Sequence, residues 1–133
     1  MKTIKHIATG LIMAGMLNAC TPKMSFVTST IVPAANGKID VTKDENKNYL
    51  THLRVSNLAD PQKLTPARNL YLVWMESDNS VVRKLGQLMP SGKTLDAELT
   101  TTSVAKPNEI FITAEDKADI TNPEGQIILT TKQ

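Results

Sequence analysis

The 133-residue chain contains one cysteine, Cys20, and two histidines, His6 and His52. Those numbers bound the chemistry it can do. A thiol or hydroxyl nucleophile needs an imidazole within hydrogen-bond reach, and downstream of Cys20 only His52 is available. His52 stands at the opposite parity to Leu53 and Val55 in a strand-like run, so it is read as facing solvent or a partly covered edge. A structural zinc site wants four Cys or His ligands and is excluded by count. Oxygen ligands for calcium exist in Glu115, Asp116 and Asp119, ahead of Asn122, but their spacing matches no calcium loop and Lys117 intervenes. That stretch reads as a solvated acidic loop. Asp44, Glu45 and Asp78 fit turns, and Met24, Met75 and Met89 are too scattered for a soft-metal site. No catalytic residue, metal or cofactor is therefore expected.

The remaining chemistry belongs to Cys20 itself. Lys2, Lys5 and His6 make a positive start, and the apolar run Ile7 to Leu17 follows. That run is too short to span a bilayer as a helix of about 20 residues and has the proportions of a signal h-region. It closes on Leu17-Asn18-Ala19-Cys20, which resembles the lipobox of bacterial lipoproteins, although Asn18 stands where small or apolar residues are commoner. The resemblance implies that Leu17, Asn18 and Ala19 are read by the signal peptidase and that residues 1–19 are removed. It also implies that the sulfur of Cys20 takes diacylglycerol and the new amine is acylated. Lipidation accounts for a lone cysteine in an oxidising compartment better than a free thiol does, since no second cysteine can pair with it. Each buried CH₂ contributes about 0.8 kcal/mol, so two or more chains hold firmly where one holds reversibly. The expected first partner is thus the lipid bilayer. Thr21 is not the aspartate that marks inner-membrane retention in enterobacterial lipoproteins, which points to the outer membrane and its periplasmic face.

Composition agrees with one domain. From Cys20 onward there are 13 basic and 13 acidic residues, so the apparent basicity of the chain belongs to residues 1–19. A neutral chain with interspersed charges and five aromatic residues carries no footprint for nucleic acid.

Stepping along residues 20–133, Thr21 to Asn36 is rich in Thr, Ser, Pro and Ala. It suits a tether that lifts the domain off the membrane, or over 24–32 a first edge strand. Residues 37–133 read as the folded domain. Asn36-Gly37 begins a series of turn signals, and the spacing predicts strands over Lys38–Thr42, Tyr49–Asn57, Leu70–Glu76, Val81–Leu88, Thr94–Thr101, Glu109–Ala114 and Gln126–Thr131. Seven short strands without a helical period predict an all-β, immunoglobulin-like antiparallel sandwich. Tyr49, Thr51, Leu53 and Val55 share one face, as do Ile110, Ile112 and Ala114, and as do Leu95, Ala97 and Leu99. Leu70 to Met75 is apolar on both faces and reads as the central strand, with Trp74 as a core anchor.

From about Leu64 onward the order of motifs resembles the extracytoplasmic C-terminal domain of anti-sigma-K factors. The residues that carry it are Tyr71-Leu-Val-Trp74, Leu85-Gly86-Gln-Leu88, Ile110-Phe-Ile-Thr-Ala-Glu115 and Pro123-Glu-Gly125-Gln-Ile-Ile-Leu129. The resemblance implies an immunoglobulin-like sandwich in an envelope setting. The helical cytoplasmic domain and spanning helix that hold and relay to a sigma factor have no counterpart in this sequence, so anti-sigma activity is not implied.

The expectation is an anchored, non-enzymatic module that binds an envelope protein or serves as an accessory subunit. The competing class is an envelope sensor of a small molecule or ion. Loops Asp60–Arg68 and Lys106–Asn108, stiffened by Pro61, Pro66 and Pro107 and charged by Arg68, are the expected contact surface. Cys20→Ala is expected to move the protein from the membrane pellet to the soluble fraction on cell fractionation. A variant that stays membrane-bound sinks the lipid-anchor reading.

Overall fold

The computed structural model describes residues 23–132, so Cys20, the expected lipidation site, and Leu17-Asn18-Ala19, expected to be read by the signal peptidase, lie outside the described residues. Eight strands form two four-stranded antiparallel sheets. The strands are β1 (Lys23–Ser25), β2 (Asn36–Lys43), β3 (Tyr49–Ser56), β4 (Leu70–Glu76), β5 (Val82–Leu88), β6 (Ala97–Ser103), β7 (Glu109–Glu115) and β8 (Gln126–Thr130). One sheet runs β1-β2-β3-β6 and the other β5-β4-β7-β8. The pairing of β3 with β6, across a hairpin that lies in the opposite sheet, is the Greek-key connection of an immunoglobulin-like sandwich.

The strand ends are set by turn chemistry. The β2–β3 turn closes when Asp44 Oδ1 accepts the N–H groups of Asn46 and Asn48 at 2.8 and 2.9 Å, with Lys47 at φ 64°. The β4–β5 turn closes with Ser77 N–H donating to Val81 O and Ser80 at φ 57°. β6 begins at Ala97, three residues later than the expected Thr94. Ser91 and Asp96 exchange both backbone hydrogen bonds there, and Leu95 sits at φ 46°, so the turn that starts at Pro90-Ser-Gly92 consumes Thr94 to Asp96.

The segment before β2 is not a free tether. Lys23 to Ser25 pair with Asp40 to Lys38, and Val27 N–H then donates to Thr130 O at 2.8 Å, so the chain crosses from the edge of one sheet to the edge of the other. Ser29 Oγ accepts from Ile31 and Val32 N–H, and Val32 and Ala35 are buried in the core. The Ser/Thr/Pro/Ala composition that resembles a linker therefore builds a closed cap.

Between the sheets lie Ile39, Val41, Leu53 and Val55 from one side and Tyr71, Val73, Met75, Ile110, Ile112 and Ala114 from the other. The expected faces of β3 and β7 are thus the buried ones, and β4 is central, between β5 and β7. Trp74 is fully buried, yet it is turned away from this core. With Leu72 and Phe111 it forms a second cluster on the outer face of β4 and β7, flanked by Leu70, Val82 and Ile120. The β7–β8 loop folds over that face, held by the hydrogen bonds of Lys84 and by a path that runs from Trp74 through Thr113 and Glu115. Lys84 Nζ donates to Ala118 O and Ile120 O at 2.5 and 2.9 Å. Trp74 Nε1 donates to Thr113 Oγ1 at 2.8 Å, and Thr113 Oγ1 donates to Glu115 Oε1 at 2.7 Å. Glu124 N–H donates to the same carboxylate oxygen at 3.0 Å.

Gly125 brings the loop back into β8 so closely that a Cβ there would stand 1.8 Å from Ala114 O. Backbone must move to admit any side chain. Gly125→Ala is expected to lower stability by about 1–3 kcal/mol, the range of overpacked sites, read as a lower urea midpoint at unchanged m-value. An unchanged midpoint contradicts this packing.

Candidate functional site

The sandwich has two ends, and the residues expected to form one contact surface are divided between them. Leu70 pairs with Glu115 at one end of β4 and Glu76 with Glu109 at the other, about 20 Å away at about 3.3 Å per residue. Loop 57–69 lies at the Leu70 end, where Asn69 N–H donates to Glu115 O. Loop 104–108 lies at the Glu76 end, where Asn108 N–H donates to Glu76 O and its side chain donates to Asp78. Pro61, Pro66 and Arg68 therefore do not share a surface with Pro107. Pro107 is also buried, so it packs the base of its loop and does not stiffen an exposed tip.

At the Leu70 end the loops 57–69, 89–96 and 116–125 are joined. Asp60 Oδ1 accepts from Gln62 N–H and starts a 3₁₀ turn, Pro61–Lys63, and Arg68 N–H donates back to Pro61 O at 2.9 Å. The Arg68 guanidinium reaches Asp116 Oδ2 at 2.7 Å, and Asn69 Nδ2 donates to Asp116 O at 3.2 Å. Tyr71 O–H donates to Ala59 O at 2.7 Å. Burial and then the charge of Asp60 push the Tyr71 phenol up to about 12, so it remains a neutral donor across the physiological range.

Three depressions open on this end. One of about 350 Å³ is lined by Asp60, Pro61, Asn69, Gln87 and Met89. A second of about 470 Å³ is lined by Arg54, Ser56, Met89, Asp96 and Glu98. Met89 borders both and is 75% exposed, a large apolar side chain held out between two hollows of mixed polar and apolar lining. The third, of about 450 Å³, lies between Arg68, Asp116, Lys117 and Glu124. Met89 was not among the expected contact residues. Its signal was an apolar residue placed after a strand and directly before Pro90-Ser-Gly92.

The acidic stretch before Asn122 does not converge. Glu115 is 3% exposed and turned to Thr113 and Glu124 N–H, which corrects its reading as solvated, while Asp116 turns to Arg68. Among the described residues, no three His, Cys, Asp or Glu side chains are grouped to hold a metal ion. His52 lies half-buried on the outer face of β3, with Nε2 against Glu98 Oε1 of β6. Arg54 Nε donates to the same oxygen at 3.2 Å.

Comparison with protein-family models, curated proteins and solved structures finds no match to the chain. Fold and surface are what define it: a β-sandwich with loop-built ends, each carrying exposed apolar side chains, Met89 at the Leu70 end and Val104 at the other.

The Glu98 carboxyl is held below its ordinary 4.5, first by the hydrogen bond from His52 and then by the one from Arg54. A carboxyl depressed on folding stabilises above its unfolded value and stops doing so as pH falls through its folded value. The urea-midpoint gap between wild type and Glu98→Gln is therefore expected to be largest above pH 4.5 and to close below it. A gap that persists unchanged into strong acid contradicts the pairing.

Proposed function

We propose that this chain is an envelope lipoprotein, anchored through acylated Cys20 to the periplasmic face of the outer membrane. Its sandwich serves as a non-enzymatic protein-binding or accessory module, without anti-sigma activity of its own. The observation that carries the reading is the Leu70 end. Its loops are tied to one another by Arg68–Asp116 and Asn69–Asp116, and Met89 stands exposed beside Pro61. A fixed polar rim around a protruding apolar side chain suits capture of another protein, because little ordering entropy remains to be lost on binding. The resemblance to the anti-sigma-K C-terminal domain supports the envelope setting.

Crosslinking in living cells tests this, with tagged wild type, Met89→Asp at the proposed surface and Asn79→Arg at the opposite end. One dominant partner is expected with wild type and Asn79→Arg, and its yield is expected to fall at least tenfold with Met89→Asp. Equal capture by Met89→Asp refutes the surface. No partner at all, with a melting temperature that rises as an envelope metabolite or calcium is added, replaces the module with the sensor.

A further inference from the structure

If Cys20 is acylated, as the proposed function holds, the structure fixes how far the domain can stand from the lipid. The first described residue, Lys23, pairs with Asp40 in the middle of β2. Only Thr21 and Pro22 intervene, and three peptide steps span at most about 11 Å. The bilayer surface must therefore come within about that distance of the β1 backbone.

The direction of approach follows from the pairing. β1 is antiparallel to β2, with Ser25 opposite Lys38 and Lys23 opposite Asp40, so its N-terminal end points the way β2 runs, toward Lys43 and the Asp44–Asn48 turn. Lys43 lies three residues beyond Asp40, about 10 Å at strand rise, which matches the reach of the linking residues. The same end of the sandwich carries the β4–β5 turn and the Val104–Asn108 loop. It holds Val104 at 86% exposure and Val81 at 42%. Lys43, Lys47, Lys106 and Lys132 are exposed there among Asp44, Glu45 and Asp78. A mixed-charge rim around single apolar side chains suits a zwitterionic headgroup layer, where valines enter the interface and lysines meet phosphates.

We propose that this end, formed by the Asp44–Asn48 turn, the Ser77–Val81 turn and the Val104–Asn108 loop, rests on the phospholipid surface. The Leu70 end, with Met89 and the three depressions, then points away from the membrane. Anchor and contact surface lie at opposite ends because β4 separates them.

The test uses the lipidated full-length protein in phosphatidylethanolamine/phosphatidylglycerol vesicles containing a headgroup nitroxide lipid. A fluorophore is placed through Val104→Cys or, at the far end, Asn122→Cys. Quenching is expected to be several-fold stronger at 104 than at 122. Inserting twelve Gly/Ser residues between Pro22 and Lys23 is expected to erase the difference while the protein remains on the vesicles. Equal quenching at the two sites without the insertion, or stronger quenching at 122, overturns the orientation. A label at 104 that is shielded from aqueous iodide but not quenched by the nitroxide lipid also overturns it, by showing a protein occupant. Vesicle flotation separates this from the anchor: if purified wild type carries no lipid and does not float, the lipoprotein reading fails. If it floats without a quenching difference, only the orientation does.

Discussion

Strand β4 is apolar on both faces, and a strand of that kind has to be covered twice. Tyr71, Val73 and Met75 are covered by the facing sheet, which is the ordinary solution for a sandwich. Leu72 and Trp74 present a second apolar face where an antiparallel sheet normally meets water. The β7–β8 loop supplies the cover, but a loop carries backbone polar groups that cannot be buried unpaired. The chain from Trp74 Nε1 through Thr113 and Glu115 to Glu124 N–H meets that need in one connected path, and Lys84 takes two of the loop's carbonyls. The course of the β7–β8 loop follows from that requirement.

The requirement extends to the Leu70 end of the sandwich. Asp116, the first residue after β7, is positioned by the buried Glu115 before it, and it receives both Arg68 and Asn69 from loop 57–69. Packing around an indole thereby bears on where loops 57–69 and 116–125 meet. The loop end is thus tied to the packing beneath it through Glu115 and Asp116.

Much of the fold was legible in the sequence. β4 has the expected bounds, and the alternation in β3 and β7 identified their buried faces, because period-2 patterning survives wherever one face is apolar. The rest was hidden for specific reasons. An edge strand over 24–32 was one of two readings of that stretch; β1 is shorter, Lys23–Ser25, because only those residues pair with β2. Parity groups Trp74 with Leu72 but does not say which side receives the second sheet. Residues 116–125 read as solvated because Ile120 is the one large apolar residue they contribute. Of the residues that border the depressions at the Leu70 end, Pro61 and Arg68 were among the expected contacts and Met89 was not. The separation of Pro107 from them is a matter of topology: β3 and β6 are antiparallel, so the loops that follow them leave from opposite ends.

The crossing of the N-terminal segment from β2 to the end of β8 has a mechanical meaning. A pull on the residues preceding Lys23 acts along the axis of β1, parallel to the strand it pairs with. The hydrogen bonds between β1 and β2 are then loaded together in shear and do not open one by one like a zipper. Because Val27 is also fastened to Thr130, the same load is shared between both layers of the sandwich. A load entering at this strand therefore meets pairing to both sheets.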